Sequence, residues 1–195
     1  TPQDYFRPVD RGLERYREIY WRFRLELGDG WTGGGGHKLT RATSFAAEDS
    51  WAQAMIAHVW SGGGDRASQL VIDPASGTDP EGNLITTRYN DFDNLRWLGS
   101  EASELALFAD ASIGEWHCIE AHVRLNDAGQ SNGVFELWID GRAEASRTGL
   151  NWVGAYDDFG INAVFVENYW NAGSPRQQER YIDNFVVSTD PIGCG

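Results

Sequence analysis

The chain has 195 residues, with 16 basic residues against 29 acidic ones, a formal net charge of −13, and 41% hydrophobic residues that include 9 Trp, 7 Tyr and 9 Phe. That much apolar side chain supports one packed domain, residues 1–195, and excludes a disordered chain. The acidic surplus argues against nucleic acid or membrane insertion, since no apolar run approaches a membrane span and both nucleic acid and anionic bilayers select basic surfaces.

Taken in chain order, residues 1–18 are a charged lead-in in which Leu13, Tyr16 and Ile19 share one face of a short helix. The period then changes to two. Trp21, Phe23, Leu25 and Leu27 alternate with Arg22, Arg24 and Glu26, the pattern of a half-buried strand. Gly28 to Gly36 is too glycine-rich for regular structure, and it lacks the Lys-Ser/Thr ending and following helix of a phosphate loop. Strands are predicted over 37–43, 53–60, 69–73 and 83–89, with a turn-rich segment from Pro74 to Gly82. Ile119, Ala121, Val123 and Leu125 alternate with polar partners, and so do Phe135, Leu137 and Ile139, with Asp140-Gly141 as the next turn. Residues 161–169 and 181–188 complete a set of many short strands and little helix, which predicts an all-β antiparallel sandwich or jelly roll.

Two features of composition stand apart. Lys38 is the only lysine, every other basic residue being arginine, and compositional bias accounts for it. Cys118 and Cys194 are the two cysteines and have no metal-ligand spacing; a disulfide tying down the C-terminal tail is expected. A start at Thr1 without a signal peptide suits a processed secreted protein or an excised domain.

Three blocks carry a family resemblance: Gly114-Glu-Trp-His-Cys-Ile-Glu-Ala-His-Val-Arg-Leu-Asn126, Asn132-Gly-Val-Phe-Glu-Leu-Trp-Ile-Asp-Gly141 and Tyr181-Ile-Asp-Asn-Phe-Val-Val-Ser188. They resemble concanavalin A-like jelly rolls, in particular the branch that contains alginate, glucuronan and heparin lyases. The resemblance implies a sandwich whose concave sheet faces a glycan, a secreted or periplasmic location, a polysaccharide partner and catalysis without a cofactor. It also implies three groove strands: His37-Lys-Leu-Thr-Arg-Ala42, Gln53-Ala-Met-Ile-Ala-His-Val-Trp60 and Val164-Phe-Val-Glu-Asn-Tyr-Trp170. Gln53 and His58 are five apart, so a regular strand puts them on opposite faces; either a bulge intervenes or only one of them faces the groove.

The implied chemistry is β-elimination on a uronate. His58 is the candidate base, because its ordinary pKa lies near operating pH. Tyr169 is the candidate acid for the leaving oxygen, or serves in both roles. Gln53, Arg41, Lys38 or Arg88 would neutralise the uronate carboxylate, where charge develops. A net charge of −13 opposes a polyanionic substrate unless the groove is locally basic. Glycoside hydrolysis needs paired carboxylates. No Glu is followed by Asp two residues on, and Glu120, Glu136 and Glu167 stand alone, which fits solvated or ion-paired roles.

A binding module would instead use Trp60, Trp97, Trp138 and Trp170 as stacking platforms, together with the polar run Arg88 to Trp97, although tryptophans turned inward only pack. A structural or adhesion domain of the same fold is a third reading. The resemblance offers Asp183 as a ligand of structural calcium, but the sequence supplies no further oxygen ligands with it. The four histidines have no zinc spacing.

Overall fold

The computed structural model describes the backbone of residues 3–6 and the whole of residues 15–46, 50–155 and 159–195. The strands are β1 (Gln3–Phe6), β2 (Glu18–Leu27), β3 (His37–Phe45), β4 (Gln53–Ser61), β5 (Leu70–Ser76), β6 (Arg96–Trp97), β7 (Glu101–Ala102), β8 (Trp116–Arg124), β9 (Gly133–Ile139), β10 (Arg142–Leu150), β11 (Ala163–Trp170) and β12 (Arg180–Ser188). Among the described residues they form two antiparallel sheets. The larger has seven strands in the order β1-β11-β3-β4-β5-β6 with β7 also on β5, and the smaller has five in the order β10-β9-β8-β2-β12.

The alternation explains why the sheets face each other. In β2 every second residue is buried, so Trp21, Phe23, Leu25 and Leu27 face the larger sheet. They meet Leu39, Met55, Val59, Leu70 and Ile72 in one apolar cluster, which Ile119, Val123, Phe135 and Trp152 complete. Asp140 and Gly141 both have positive φ, 52° and 79°, the backbone of a tight two-residue hairpin turn between β9 and β10.

Several expectations are corrected. Residues 83–89 form no strand; only an isolated bridge, Thr78 with Leu84, occurs there. This segment instead folds back over the outer face of the larger sheet, where the Thr86 hydroxyl donates to the Gln53 carbonyl at 2.8 Å. At its root Gly77 touches β4, and a Cβ there would meet the Gln53 carbonyl oxygen at 1.9 Å, so only glycine fits. Within the lead-in, Gln3–Phe6 form a strand paired with β11. Leu13 lies outside the described residues, Tyr16 makes a bridge to Ile161, and Ile19 belongs to β2. β10 gave no alternation signal because it is an edge strand with a largely exposed sequence.

Cys118 and Cys194 form a disulfide, with Cα atoms 5.8 Å apart. The Glu120 carboxylate accepts the backbone amides of Ile192 and Gly193 at 2.9 and 2.7 Å, so the tail is held by the bridge and by one ion. Asp183 is exposed on the edge strand β12, and its carboxylate accepts the neighbouring Asn184 amide at 2.7 Å. No group of three or more His, Cys, Asp or Glu among the described residues could hold a metal, so structural calcium at Asp183 finds no support. No helix among them is long and apolar enough to cross a membrane.

Candidate active site

The candidate site lies on the face of the larger sheet turned away from the core. Cross-strand register builds it in two rows. One row reads Tyr169, Lys38, Trp60 and Val71; the next reads Phe165, Arg41, His58 and Asp73. Regular alternation would not produce this set. Lys38 and Arg41 are three apart, and a register break between Lys38 and Thr40 turns both outward. A second break, between Ser44 and Phe45, skips Ala54, so Gln53 and His58 share the outer face despite their five-residue spacing. A third lies between Val166 and Tyr169 on β11, around Glu167. Bulges of this kind re-aim side chains and gather at functional sites.

Glu167 is the electrostatic centre. It is fully buried and forms an ion pair with Arg41, while its second oxygen lies 3.4 Å from His58 Nε2. Burial alone would raise its carboxyl, but the His58 and Arg41 interactions win and hold it at about 2. The Arg41 guanidinium is also buried, and both its terminal nitrogens are hydrogen-bonded. It donates to Asn90 Oδ1 at 2.7 Å and to the Tyr89 hydroxyl at 2.6 Å, and lies 5.3 Å from the Phe165 ring. Gln53 supports this arrangement from below. Its amide donates to Thr43 Oγ1 at 3.0 Å and its oxygen accepts the Asn90 amide at 2.8 Å. Asn90 has φ 52°, a left-handed conformation that Asn tolerates better than most residues. Gln53 thus fixes Asn90, Asn90 fixes Arg41, and Arg41 fixes Glu167.

His58 is nearly buried and stacked on Trp60, with centroids 5.8 Å apart and planes 5° off parallel. Burial, opposed by Glu167 and aided by Arg41 and Lys38, lowers it to about 4, so it is neutral at pH 7. An ionised Glu167 facing Nε2 favours the proton on that nitrogen and leaves Nδ1 basic. Asp73, opposite His58 on β5, is pushed up to about 6 by burial.

Lys38 lies at the Tyr169 end of the site and is itself buried, 5% exposed. Its ammonium lies 5.3 Å from the Tyr169 ring and 5.6 Å from the Phe92 ring. Burial first, then the Arg41 charge, lowers its pKa, while Glu167 acts in the opposite direction. Beneath it, Arg180 of β12 donates to the carbonyls of Lys38 and Glu167, both at 2.7 Å, and to His37 Nδ1 at 3.0 Å. His37, buried beside this guanidinium, is lowered to about 3. Lys38 and Arg41 thus lie on the site face with Arg180 beneath it, three cations close to the carboxylates of Glu167 and Asp73 in a chain of net charge −13.

The structure brings His58, Lys38, Arg41, Trp60 and Tyr169 together, with Tyr169 39% exposed. Trp97 stands beyond them, half exposed and stacked on Phe92 at 6.2 Å. Gln53 shares the outer face but is buried with both ends of its carboxamide occupied. Arg88 is not gathered in. It sits exposed on the covering segment, 3.7 Å from Asp91 and 3.8 Å from Asp93. Trp170 turns the other way, against Trp31 and His37. Trp138 belongs to the outer face of the smaller sheet, near His122. Sequence reasoning left Glu167 as an isolated carboxylate, held Tyr89, Asn90 and Phe92 only as part of the polar run Arg88 to Trp97, and passed over Asp73 and Arg180.

The architecture is an all-β sandwich of two antiparallel sheets. Neither a family model nor the sequence of a characterised protein matches the chain. Solved structures do. Alginate lyase vAL-1 from Chlorella virus is 14% identical, with a TM-score of 0.64 over 92% of this chain and 73% of its own. Endo-β-1,4-glucuronan lyase from the fungus Trichoderma reesei is 18% identical, with a TM-score of 0.62 over 93% and 72%. A variant of alginate lyase Aly36B in complex with alginate tetrasaccharide is 15% identical, with a TM-score of 0.56 over 93% and 73%. At these identities the likeness is one of fold.

Proposed function

We propose that this protein is a secreted polysaccharide lyase that cleaves a uronate-containing chain by β-elimination. The observation that carries the reading is the basic, partly open site, in which the Lys38 ammonium lies 5.3 Å from the ring of an exposed tyrosine while the neutral imidazole of His58 occupies the adjoining row. Lys38 neutralises the uronate carboxylate, because Arg41 and Gln53 are buried and hydrogen-bonded to the covering segment. His58 Nδ1 takes the proton from the carbon next to the carboxylate. The electron pair forms the new carbon–carbon double bond as the glycosidic carbon–oxygen bond breaks. Tyr169 donates its proton to the leaving oxygen. Glu167 orients His58 and stabilises its protonated form after the transfer. The polysaccharide ligand named for one structural relative supports the same substrate class, and the disulfide suits an oxidising compartment.

The exposed Phe92–Trp97 pair favours a second reading, a binding module that holds a glycan without cleaving it. One assay separates the two. Incubation with alginate, glucuronan, pectate and glycosaminoglycans is followed by ultraviolet absorbance, since elimination creates an absorbing unsaturated uronate. The lyase gives a rise on one substrate that falls about 100-fold or more in His58→Ala and in Tyr169→Phe. A flat trace on all substrates, with saturable binding to one of them, establishes the binding module instead.

A further inference from the structure

Beyond Tyr169, between the end of β11 and the start of β12, lies a cleft of about 610 Å³, walled by Asn168 and Tyr169 of β11, by Arg176, Gln177 and Glu179 of the following loop, and by Tyr181 of β12. This volume is typical of a site for a small ligand or part of a chain. Of the residues already described, Tyr169, Trp170 and Arg180 also line it. We propose that the cleft is a further subsite that binds sugar residues of an acidic polysaccharide running past Tyr169, which deepens and rests on the lyase reading.

Three observations converge on it. First, the walls are chemically mixed in the way a sugar requires. Tyr181 is 46% exposed on one side and Tyr169 39% on the other, giving ring faces for pyranose stacking. Asn168 and Gln177 offer carboxamides for hydroxyl groups. Second, the charges are placed asymmetrically. Glu179 accepts the Tyr181 hydroxyl at 2.8 Å. Arg176 is exposed, and no carboxylate among the described residues forms an ion pair with it. A uronate carboxylate is therefore drawn to the Arg176 side, while Glu179 accepts hydroxyls.

Third, the loop wall is pre-organised. Gln178 accepts the amides of Thr32 and Gly33 at 2.9 and 3.1 Å, and donates to the Gly33 carbonyl at 2.9 Å and to Ser174 Oγ at 2.7 Å. The amides of Asn171 and Ala172 reach the carbonyls of Gly36 and Gly35, both at 3.0 Å. The glycine-rich loop before β3 thus clasps the loop after β11. A wall held in this way loses little entropy when a ligand arrives. Tyr169 belongs both to the Lys38 row and to the cleft, so a chain lying across Lys38 continues directly into it.

The test titrates wild type, Arg176→Ala and Tyr181→Ala with alginate and glucuronan oligosaccharides from trimer to octamer by calorimetry, with the absorbance assay run in parallel. Wild-type affinity rises with length. Each variant leaves trimer affinity unchanged and weakens octamer binding about tenfold. Octamer affinity unchanged in both variants overturns the subsite, and so does an octamer that fails to bind wild type. A flat absorbance trace with the length-dependent losses intact defeats the lyase and leaves the subsite standing. Cleavage that requires Tyr169 but binding indifferent to both variants does the reverse.

Discussion

Replacing Glu167 by Gln tests the electrostatic design of the site most directly. The substitution keeps the volume and one acceptor oxygen but removes the charge that Arg41 faces in a buried setting. The carboxyl is held at about 2 against an ordinary 4.5. That difference corresponds to about 3 kcal/mol of folding stability, within the range for breaking a buried ion pair from one side. Because the folded pKa is the lower one, the contribution is complete above pH 4.5 and is lost as the pH falls from 4.5 through 2. Urea denaturation of Glu167→Gln followed by tryptophan fluorescence is expected to show a loss of about 3 kcal/mol at pH 7, shrinking to about 1 kcal/mol at pH 3. The thermal midpoint at pH 7 should fall by about 6–12 °C for a chain of this size. A loss under about 1 kcal/mol at pH 7, or one equal at both pH values, refutes the idea that an ionised Glu167 organises the site.

Two other perturbations follow from the same physics. Asp73→Asn should stabilise the protein at pH 7 by up to about 3 kcal/mol and by less than about 1 kcal/mol at pH 4, since the folded pKa of about 6 lies above the ordinary 3.8 and ionisation in the folded state is what costs stability; thermal midpoints across pH 4 to 8 would expose a pH-independent effect as a contradiction. Replacing Cys118 and Cys194 by Ser releases a cross-link between residues 76 apart, with an expected cost of up to about 4 kcal/mol in urea denaturation; an unchanged midpoint would mean that the Glu120 contacts hold the tail unaided.

Much of the sandwich was legible in the sequence because its signal is local. Trp21 to Leu27, Ile119 to Leu125 and Phe135 to Ile139 alternate as any strand with one wet face must, and they occupy the two-sided core as read. The signal failed where a strand lacks a core face or a loop imitates one. β10 carries little alternation because it lies at an edge. Residues 83–89 carry apolar and β-branched residues, but their role is to cover the outer face of the larger sheet, where Tyr89 packs beside Phe45 and Phe165.

The site followed a different logic. The sequence by itself determined which residue types reach the three groove strands, and it marked one lysine among the basic residues as unlike the rest. Only the tertiary structure decided which of those residues face one another. Two register breaks turn Lys38 with Arg41 and Gln53 with His58 onto the face that Glu167 and Tyr169 share by ordinary alternation, and counting residues along a single strand misplaces the first two pairs. The covering segment then brings Tyr89 and Asn90 to Arg41, which removes Arg41 and Gln53 from the surface and leaves Lys38 near it. The charge states of His58, Asp73 and Glu167 come from burial and from neighbours on other strands. Alternation is a property of one strand, whereas bulge, cover and pKa are properties of how strands distant in sequence pair and pack.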